Sequence, residues 1–127
     1  CKSLKTLDLS NFNTSAIAGF GLGNMFRGCS SLEVLNISNF DLSNTSFRIE
    51  ANPSAGLIAQ STSFLEGCDA LYELRLDNCS KDTINKIITS TGFPTNAITD
   101  VTRKIHCKKA EAAGLTEPKN WVFEFVD

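Results

Sequence analysis

His106 and Cys107 are neighbouring residues whose side chains suggest catalysis or metal binding. An imidazole beside a thiol could act as a base and a nucleophile, or as two ligands of a zinc ion. Adjacent residues of a strand point to opposite faces, however, so these two cannot act together on one substrate. Since no further Cys or His lies at ligand spacing from His106, we expect it to be solvent-facing and structural, with no metal site.

Two other groups of residues resemble chemical sites and have simpler explanations. Gly19, Gly21 and Gly23 are similar to a phosphate-binding loop, but the third glycine misses the G-x-G-x-x-G spacing, so we expect a tight turn. The five cysteines are odd in number and widely spaced, without a Cys-x-x-Cys pair, which argues against a disulfide framework or zinc. We expect Cys1, Cys29 and Cys68, which recur in equivalent positions, to be small buried side chains.

Charge and hydropathy narrow the class of protein further. The 12 basic and 14 acidic residues are scattered, so we expect no nucleic-acid partner. No apolar run approaches the roughly 18 residues of a membrane helix, so we expect no membrane insertion in this segment. No nucleophile–base pair, carboxylate dyad or metal set falls on a common face, and we expect a protein that is not an enzyme and uses no cofactor.

A recurring segment positions these residues. The pattern C-x-x-L-x-x-L-x-[LI]-[SD]-N-[FC] occurs at residues 1–12, 29–40 and 68–79. The second unit is longer than the first, and its extra residues are most easily placed at about 45–60, where Pro53 and Gly56 mark a loop. Because the chain begins at Cys1, already inside a unit and without an initiator Met, we expect it to be part of a longer protein.

Within each unit two apolar residues are spaced by two, as in Leu35 and Ile37, so they point to the same face of a short strand. One unit cannot bury that face alone, but stacked units form a parallel sheet over a continuous core. The pattern therefore predicts an α/β solenoid, with residues 1–79 as repeats and residues 80–127 as a terminal repeat and C-terminal α/β cap.

The cap is predicted in four elements. Ser80 is a good N-cap for a helix over Lys81–Ser90, with Cys79 and Ile84 as a hydrophobic staple. Ile105 and Cys107 indicate one more inward-facing strand, followed by a short helix over Lys108–Ala113 and a strand over Trp121–Val126. We expect Trp121, Phe123 and Phe125 to pack against the last repeat; the alternative is that they line a ligand pocket.

Outward residues form rows across the sheet if the strands stack in register. The central row is predicted to hold Asp8, Asn36, Arg75 and His106; the flanking rows hold Thr6, Val34, Glu73 and Lys104 on one side and Ser10, Ser38, Asp77 and Lys108 on the other. Solenoids usually bind through the concave sheet. The candidate ligand-binding residues are Asp8, Asn36, Glu73, Arg75, Asp77, Lys104 and His106. Alternatively, they are only solvated positions.

The segments LDLSNFNTS and NMFRGCSSLEVLNISNFD closely resemble the BspA-like leucine-rich repeats of bacterial surface proteins. The resemblance implies a leucine-rich-repeat solenoid with short parallel strands on its concave face, located extracellularly on a bacterial cell surface. It also implies a partner that is a host or cell-surface protein or a glycan. One departure is that Phe12, Phe40 and Cys79 hold the slot of the buried Asn in common leucine-rich repeats, so we expect an aromatic column there.

Two functions remain open. The first is a non-enzymatic binding or adhesion module that presents the concave sheet, with the insertion at 45–60 as a further candidate contact loop. The second is a structural spacer or attachment domain of a larger surface or phage tail protein. In either case we expect the open N-terminal edge of the solenoid to permit self-association.

Overall fold

The computed structural model describes residues 3–12, 26–42, 64–90 and 92–127. They form an α/β structure with one five-stranded sheet in the order β1-β2-β3-β4-β5, and every neighbouring pair is parallel. The strands are β1 (Thr6–Asp8), β2 (Val34–Asn36), β3 (Glu73–Arg75), β4 (Arg103–Cys107) and β5 (Trp121–Phe125), and the helices are α1 (Lys81–Ile88) and α2 (Lys109–Ala112). No helix among these residues is long and apolar enough to cross a membrane.

The strands pair in the register that the recurring segments predict. Leu7, Leu35, Leu74 and Ile105 are successive partners, so the pattern positions of the three segments and of β4 coincide. The two predicted rows that lie within the strands are confirmed, from Thr6 to Lys104 and from Asp8 to His106. β5 extends them with Val122 beside Lys104 and Glu124 beside His106, two residues that the sequence had not placed.

The inward face of the sheet is the hydrophobic core. Leu35, Ile37, Leu74, Leu76 and Ile105 have no exposed surface. Each such side chain contributes about 1.5–3 kcal/mol through its removal from water. The core continues into the turns that precede β2 and β3, where the rings of Phe26 and Phe64 meet edge to face at 5.1 Å. The strands are short, so this column of buried side chains holds them in register.

At its two described positions, Cys29 and Cys68, the cysteine slot of the recurring segment is buried but not uniform in chemistry. Cys29 is disulfide-bonded, so the inference against disulfides from the number and spacing of the cysteines is wrong at this position. The other cysteines that the structure describes, Cys68, Cys79 and Cys107, are free and buried, and none of them is its partner. The thiol of Cys68 donates to the carbonyl oxygen of Phe26 at 3.0 Å, which satisfies it within the core.

The expected aromatic column is present in part. Phe40 and Cys79 are 2% and 1% exposed, but Phe12 on the edge unit is 55% exposed. Polar side chains of the adjacent turns join the units on the outside instead. Asn78 Nδ2 donates to Asn39 Oδ1 at 3.0 Å, and Asn39 Nδ2 donates to the carbonyl oxygen of Ser10. Exposed asparagines at the Asn position of the recurring segment therefore connect neighbouring units by side-chain hydrogen bonds.

Helix α1 begins as predicted, because the Ser80 side chain accepts the Thr83 amide at 3.3 Å and Glu111 accepts the Lys81 amide at 2.7 Å. It ends at Ile88, before the predicted Ser90. Its buried face holds Ile84 and Ile87. Helix α2 is shorter than the predicted Lys108–Ala113 at both ends.

Strand β5 is the last in the sheet, and no described strand pairs with its outer edge. Trp121 is 3% exposed and Phe123 packs against the core, but Phe125 is 44% exposed, so the expectation that all three aromatics pack inward is wrong for Phe125. Part of the edge is protected by hydrogen bonds. Trp121 N donates to the Pro118 carbonyl at 3.0 Å, and Phe123 N donates to Glu117 Oε2 at 2.7 Å. These contacts occupy donors that a further strand would need.

Candidate functional site

The face of the sheet opposite the core carries polar and charged side chains, because residues of a strand alternate between faces. We call this surface the polar face; its members are Thr6, Asp8, Val34, Asn36, Glu73, Arg75, Lys104, His106, Val122 and Glu124. Backbone pairing fixes their spacing, so groups from several strands can meet a ligand without prior rearrangement.

Arg75 is at the centre of the charged half of the polar face. Its Nη2 donates to Asp77 Oδ2 at 2.8 Å, and its Nη1 lies 3.9 Å from Glu73 Oε1. The three side chains are partly exposed, at 32%, 24% and 33%. The short contact with Asp77 is a charge-assisted hydrogen bond, whereas the longer one with Glu73 is a weak ion pair. Most of the guanidinium charge is therefore compensated within β3 and its following turn.

His106 lies among these charges. Its Nε2 is 3.1 Å from Glu73 Oε1, and its side chain is only 8% exposed. The contact is within ion-pair distance but lacks hydrogen-bond geometry, since Nε2 has no hydrogen-bond partner. The expectation of a solvent-facing histidine is therefore wrong. The sequence-based register ended at β4 and left one side of His106 open to solvent. In the structure β5 covers that side, where Glu124 lies beside His106.

Lys104 reaches across to β5. Its Nζ is 3.0 Å from Glu124 Oε2, and the two side chains are about half exposed. The hydrogen bond from Lys104 lowers the pKa of Glu124, with further electrostatic contributions from Lys104, His106 and Arg75. Sequence reasoning missed Glu124. The alternation of Trp121, Phe123 and Phe125 could have identified it, because three aromatic residues on one side of the strand leave Val122 and Glu124 on the polar face.

The β1–β2 half of the polar face has a different chemistry. Asp8 accepts the Ser10 amide at 2.9 Å, and hydrogen bonds from Ser10 lower the pKa of Asp8. Asn36 Oδ1 accepts both the amide and the hydroxyl of Ser38, at 3.1 and 2.6 Å. Asp8 and Asn36 therefore share the row of Arg75 but bond within their own turns. Of the predicted site residues, the structure brings together Glu73, Arg75, Asp77, Lys104 and His106.

An open cleft adjoins this charged half at the amino ends of β3 and β4. Its volume is about 390 Å³, and it is lined by Tyr72, Glu73, Asp100, Val101, Thr102 and Lys104. Asp100 has a positive φ of 61°, a conformation that Asp and Asn adopt more readily than other non-glycine residues. Sequence reasoning selected only Glu73 and Lys104, because residues 100–102 belong to a loop whose course the pattern does not set.

A second open cleft, of about 400 Å³, lies beyond the carboxyl ends of β2 and β3. It is lined by Asn39, Phe40, Asp41, Asn78, Ser80 and Thr83. The Ser80 side chain caps α1, the Thr83 hydroxyl accepts the Leu42 amide, and the two asparagines bond to each other. Most of these polar groups thus serve local structure.

Arg103 occupies an inward position of β4 and is 1% exposed. Its Nη2 donates to the Asp69 carbonyl at 2.7 Å, and its guanidinium lies 5.1 Å from the centroid of Trp121. Burial lowers its pKa, although the nearby Asp69 charge opposes that effect. Trp121 Nε1 in turn donates to the Pro94 carbonyl at 2.7 Å. Arg103 therefore joins β4, β5 and the turn before β3 inside the fold and does not face the polar surface.

The free thiols are poor nucleophiles. Burial raises the pKa of Cys68 to about 11, of Cys79 to about 12 and of Cys107 to about 11, so each stays protonated at neutral pH. Cys107 lies in the core and His106 on the polar face, as strand alternation predicts. Within the described part of the chain, no group of three or more His, Cys, Asp or Glu side chains could hold a metal ion.

Some predictions concern residues outside the described ranges. These are the glycine turn at Gly19–Gly23, the insertion at 45–60 and the slot of Cys1.

No protein-family model matches this chain, and neither a curated protein nor a solved structure matches it significantly. The resemblance to BspA-like repeats therefore stays a prediction from the segments quoted above.

Proposed function

We propose that this chain is a non-enzymatic binding module that contacts a protein or glycan ligand through its polar face. The observation that carries the proposal is the convergence of three strands on one partly exposed cluster of ionisable side chains. Glu73 and Arg75 of β3, Lys104 and His106 of β4 and Glu124 of β5 lie within ion-pair reach of a neighbour. A rigid sheet that displays such groups can bind with little loss of conformational freedom.

The chemistry of the described residues favours recognition over catalysis. The free thiols are buried and protonated, as given above. The one histidine is beside a carboxylate, and its described neighbours on the adjacent strands, Arg75 and Glu124, are not nucleophiles of the serine or thiol type. The clefts are open and partly polar, which suits contact with a surface or an extended chain.

We further propose that the sheet belongs to a leucine-rich-repeat solenoid like that of BspA-like proteins, located on the outside of a bacterial cell. Two observations support the architecture. The recurring segments occupy equivalent strands in one parallel sheet, and the glycine turns before Cys29 and Cys68 stack on one another, with Gly28 N donating to the Glu66 carbonyl at 2.8 Å. The location and the adhesive role rest on the resemblance of the segments.

A structural spacer or attachment domain is the second candidate, and one observation favours it. Both obligate cations of the charged cluster, Arg75 and Lys104, already have a carboxylate partner in the chain. An inert face would have the same arrangement. The two candidates differ in whether the cluster loses these partners to a ligand.

The test is binding of the chain to an array of host glycoproteins, matrix proteins and polysaccharides. Arg75→Ala changes the centre of the polar face, and Asp8→Ala changes its β1 end. Lys119→Ala is the control, because Lys119 is exposed in the loop before β5. Circular dichroism melts establish that the variants fold.

Loss of a hit in Arg75→Ala, with the hit retained in Lys119→Ala, is the result expected for recognition on the charged half. A hit that is indifferent to both Arg75→Ala and Asp8→Ala would contradict binding through this face. No hit on the whole array would favour the spacer.

A further inference from the structure

We propose that the cleft beside the charged half of the polar face receives an arginine side chain of a protein partner. This inference rests on the proposed function, since it names the class of ligand for that face. The cleft of about 390 Å³ brings together an aromatic residue, an exposed aliphatic residue and two carboxylates, namely Tyr72, Val101, Glu73 and Asp100.

The charge around the cleft is negative. The cluster and the cleft together hold four carboxylates, Glu73, Asp77, Asp100 and Glu124, but only two obligate cations, Arg75 and Lys104. Arg75 is held by Asp77 at 2.8 Å and Lys104 by Glu124 at 3.0 Å. Asp100 is therefore left with no cationic partner among these residues, and Glu73 has only the Arg75 guanidinium at 3.9 Å and the His106 imidazole at 3.1 Å, which is charged only when it is protonated. A ligand with a positive charge supplies the missing compensation, whereas an acidic glycan would be repelled.

The position of Lys104 allows this even though it lines the cleft. Its ammonium group is directed to Glu124 on β5, on the side of β4 away from Glu73 of β3 and from Tyr72, which precedes β3. Its charge is thus largely compensated before a ligand arrives. On the other wall, no cation among the described residues pairs with Asp100, which lies in an exposed loop.

The remaining walls match the shape and polarity of arginine. A guanidinium stacks on aromatic rings and donates two hydrogen bonds to a carboxylate in bidentate geometry, and the aliphatic stem of arginine packs on apolar surface. Tyr72 and Val101 offer such surface, and Val101 is 39% exposed. The hydroxyl of Thr102 adds a polar group at the same wall. A neutral ligand would use the stacking surface but would leave Asp100 without a cationic partner.

The probe is a capped Gly-Arg-Gly peptide, titrated into the isotope-labelled chain and followed by amide chemical shifts. The same peptide with citrulline in place of arginine keeps the shape and removes the charge. We expect weak binding, with a dissociation constant that rises with salt concentration, and amide chemical-shift changes that are confined to the cleft residues. Citrulline should bind about two- to fivefold more weakly, as expected for the loss of one exposed ion pair.

Asp100→Asn is the matched change in the protein, because Asn tolerates the positive φ at this position. It should weaken the arginine peptide by a similar two- to fivefold and leave the citrulline peptide unchanged, so that the two changes are not additive. Glu73→Gln is a second variant in a strand. Asp82→Asn, on the exposed side of α1, removes the same charge elsewhere and should have no effect beyond screening.

The outcomes separate this inference from the proposed function. Cleft shifts with coupling between arginine and Asp100 support it. Equal binding of the citrulline and arginine peptides, or shifts outside the cleft, overturns it. If an array ligand binds the polar face while the arginine peptide does not bind, the inference fails and the proposed function stands. If the anionic polysaccharide heparin binds at the cleft, a positively charged ligand is the wrong class and the inference fails. If nothing binds, both fail.

Discussion

Gly28 and Gly67 occupy equivalent turns before Cys29 and Cys68, and a pair of substitutions there tests how the two units stack. Both have a positive φ, of 78° and 85°. A Cβ at Gly67 would lie 3.2 Å from the Cα and 3.3 Å from the N of Gly28, whereas a Cβ at Gly28 would meet nothing within 4 Å. The two positions thus both require a left-handed backbone conformation, but only Gly67 lacks room for a Cβ atom.

Alanine at either position destabilises the folded chain by about 1–2 kcal/mol, because the left-handed conformation is unfavourable for it. Alanine also restricts the unfolded chain, which offsets this loss by about 0.4–1 kcal/mol. Gly28→Ala should therefore lower the free energy of unfolding by about 1 kcal/mol. Gly67→Ala adds a tight contact with backbone that cannot rotate away, which costs a further 1–3 kcal/mol or so. We expect Gly67→Ala to be the more destabilising by about that amount.

Urea denaturation of the two variants and the parent chain measures both values, with unchanged m values as the check that the same surface unfolds. In thermal melts a difference of 1 kcal/mol corresponds to roughly 3–6 °C for a chain of this size. Equal losses, or a larger loss for Gly28→Ala, would refute the stacking of the two turns. A loss below about 0.5 kcal/mol in both would refute the left-handed conformation itself.

Three further predictions concern the core, the polar face and the thiols. Leu35→Ala should cost about 2–5 kcal/mol, because Leu35 has no exposed surface, and unchanged chemical denaturation would mean that the register of β2 is wrong. The carboxyl of Glu124 should titrate below its ordinary value of 4.5 by carbon NMR, and Lys104→Met should raise it towards that value. Because the pKa of Glu124 is lower in the folded chain, the ion pair stabilises the fold at neutral pH, and this stabilisation is lost as the pH falls through the lowered pKa. A titration midpoint at the ordinary value in the parent chain would exclude the Lys104 contact. Cys68, Cys79 and Cys107 should not react with a dithiopyridine reagent in the native chain at neutral pH but should react in guanidinium, since burial keeps them protonated; fast native labelling would contradict their burial.

The sequence predicted most of the structure of the recurring segments and little of the structure outside them. The inward pair Leu74 and Leu76 and the outward Glu73 and Arg75 followed from strand alternation and from the recurring segment. The start of α1 followed from Ser80, because an N-cap depends on local hydrogen bonds alone.

The candidate site was predicted only where it lies on predicted strands. The loop residues Asp100 to Thr102 reach the cleft because of where the chain passes between α1 and β4, and no local pattern carries that information. Glu124 was missed because β5 has no copy of the segment from which its register could be read. The burial of His106 depends on that missing strand.

Local and repeating chemistry is therefore what the sequence by itself determined: the alternation of faces, the parallel register of β1 to β4 and the helix start at Ser80. These features depend on residues close in the chain or on copies of one unit. The tertiary structure alone decided the pairing of β5, the ion pair between Lys104 and Glu124, the burial of His106 and the inward Arg103 against Trp121. Each of these joins residues that are distant in the chain and do not repeat, so their energies exist only once the strands are packed.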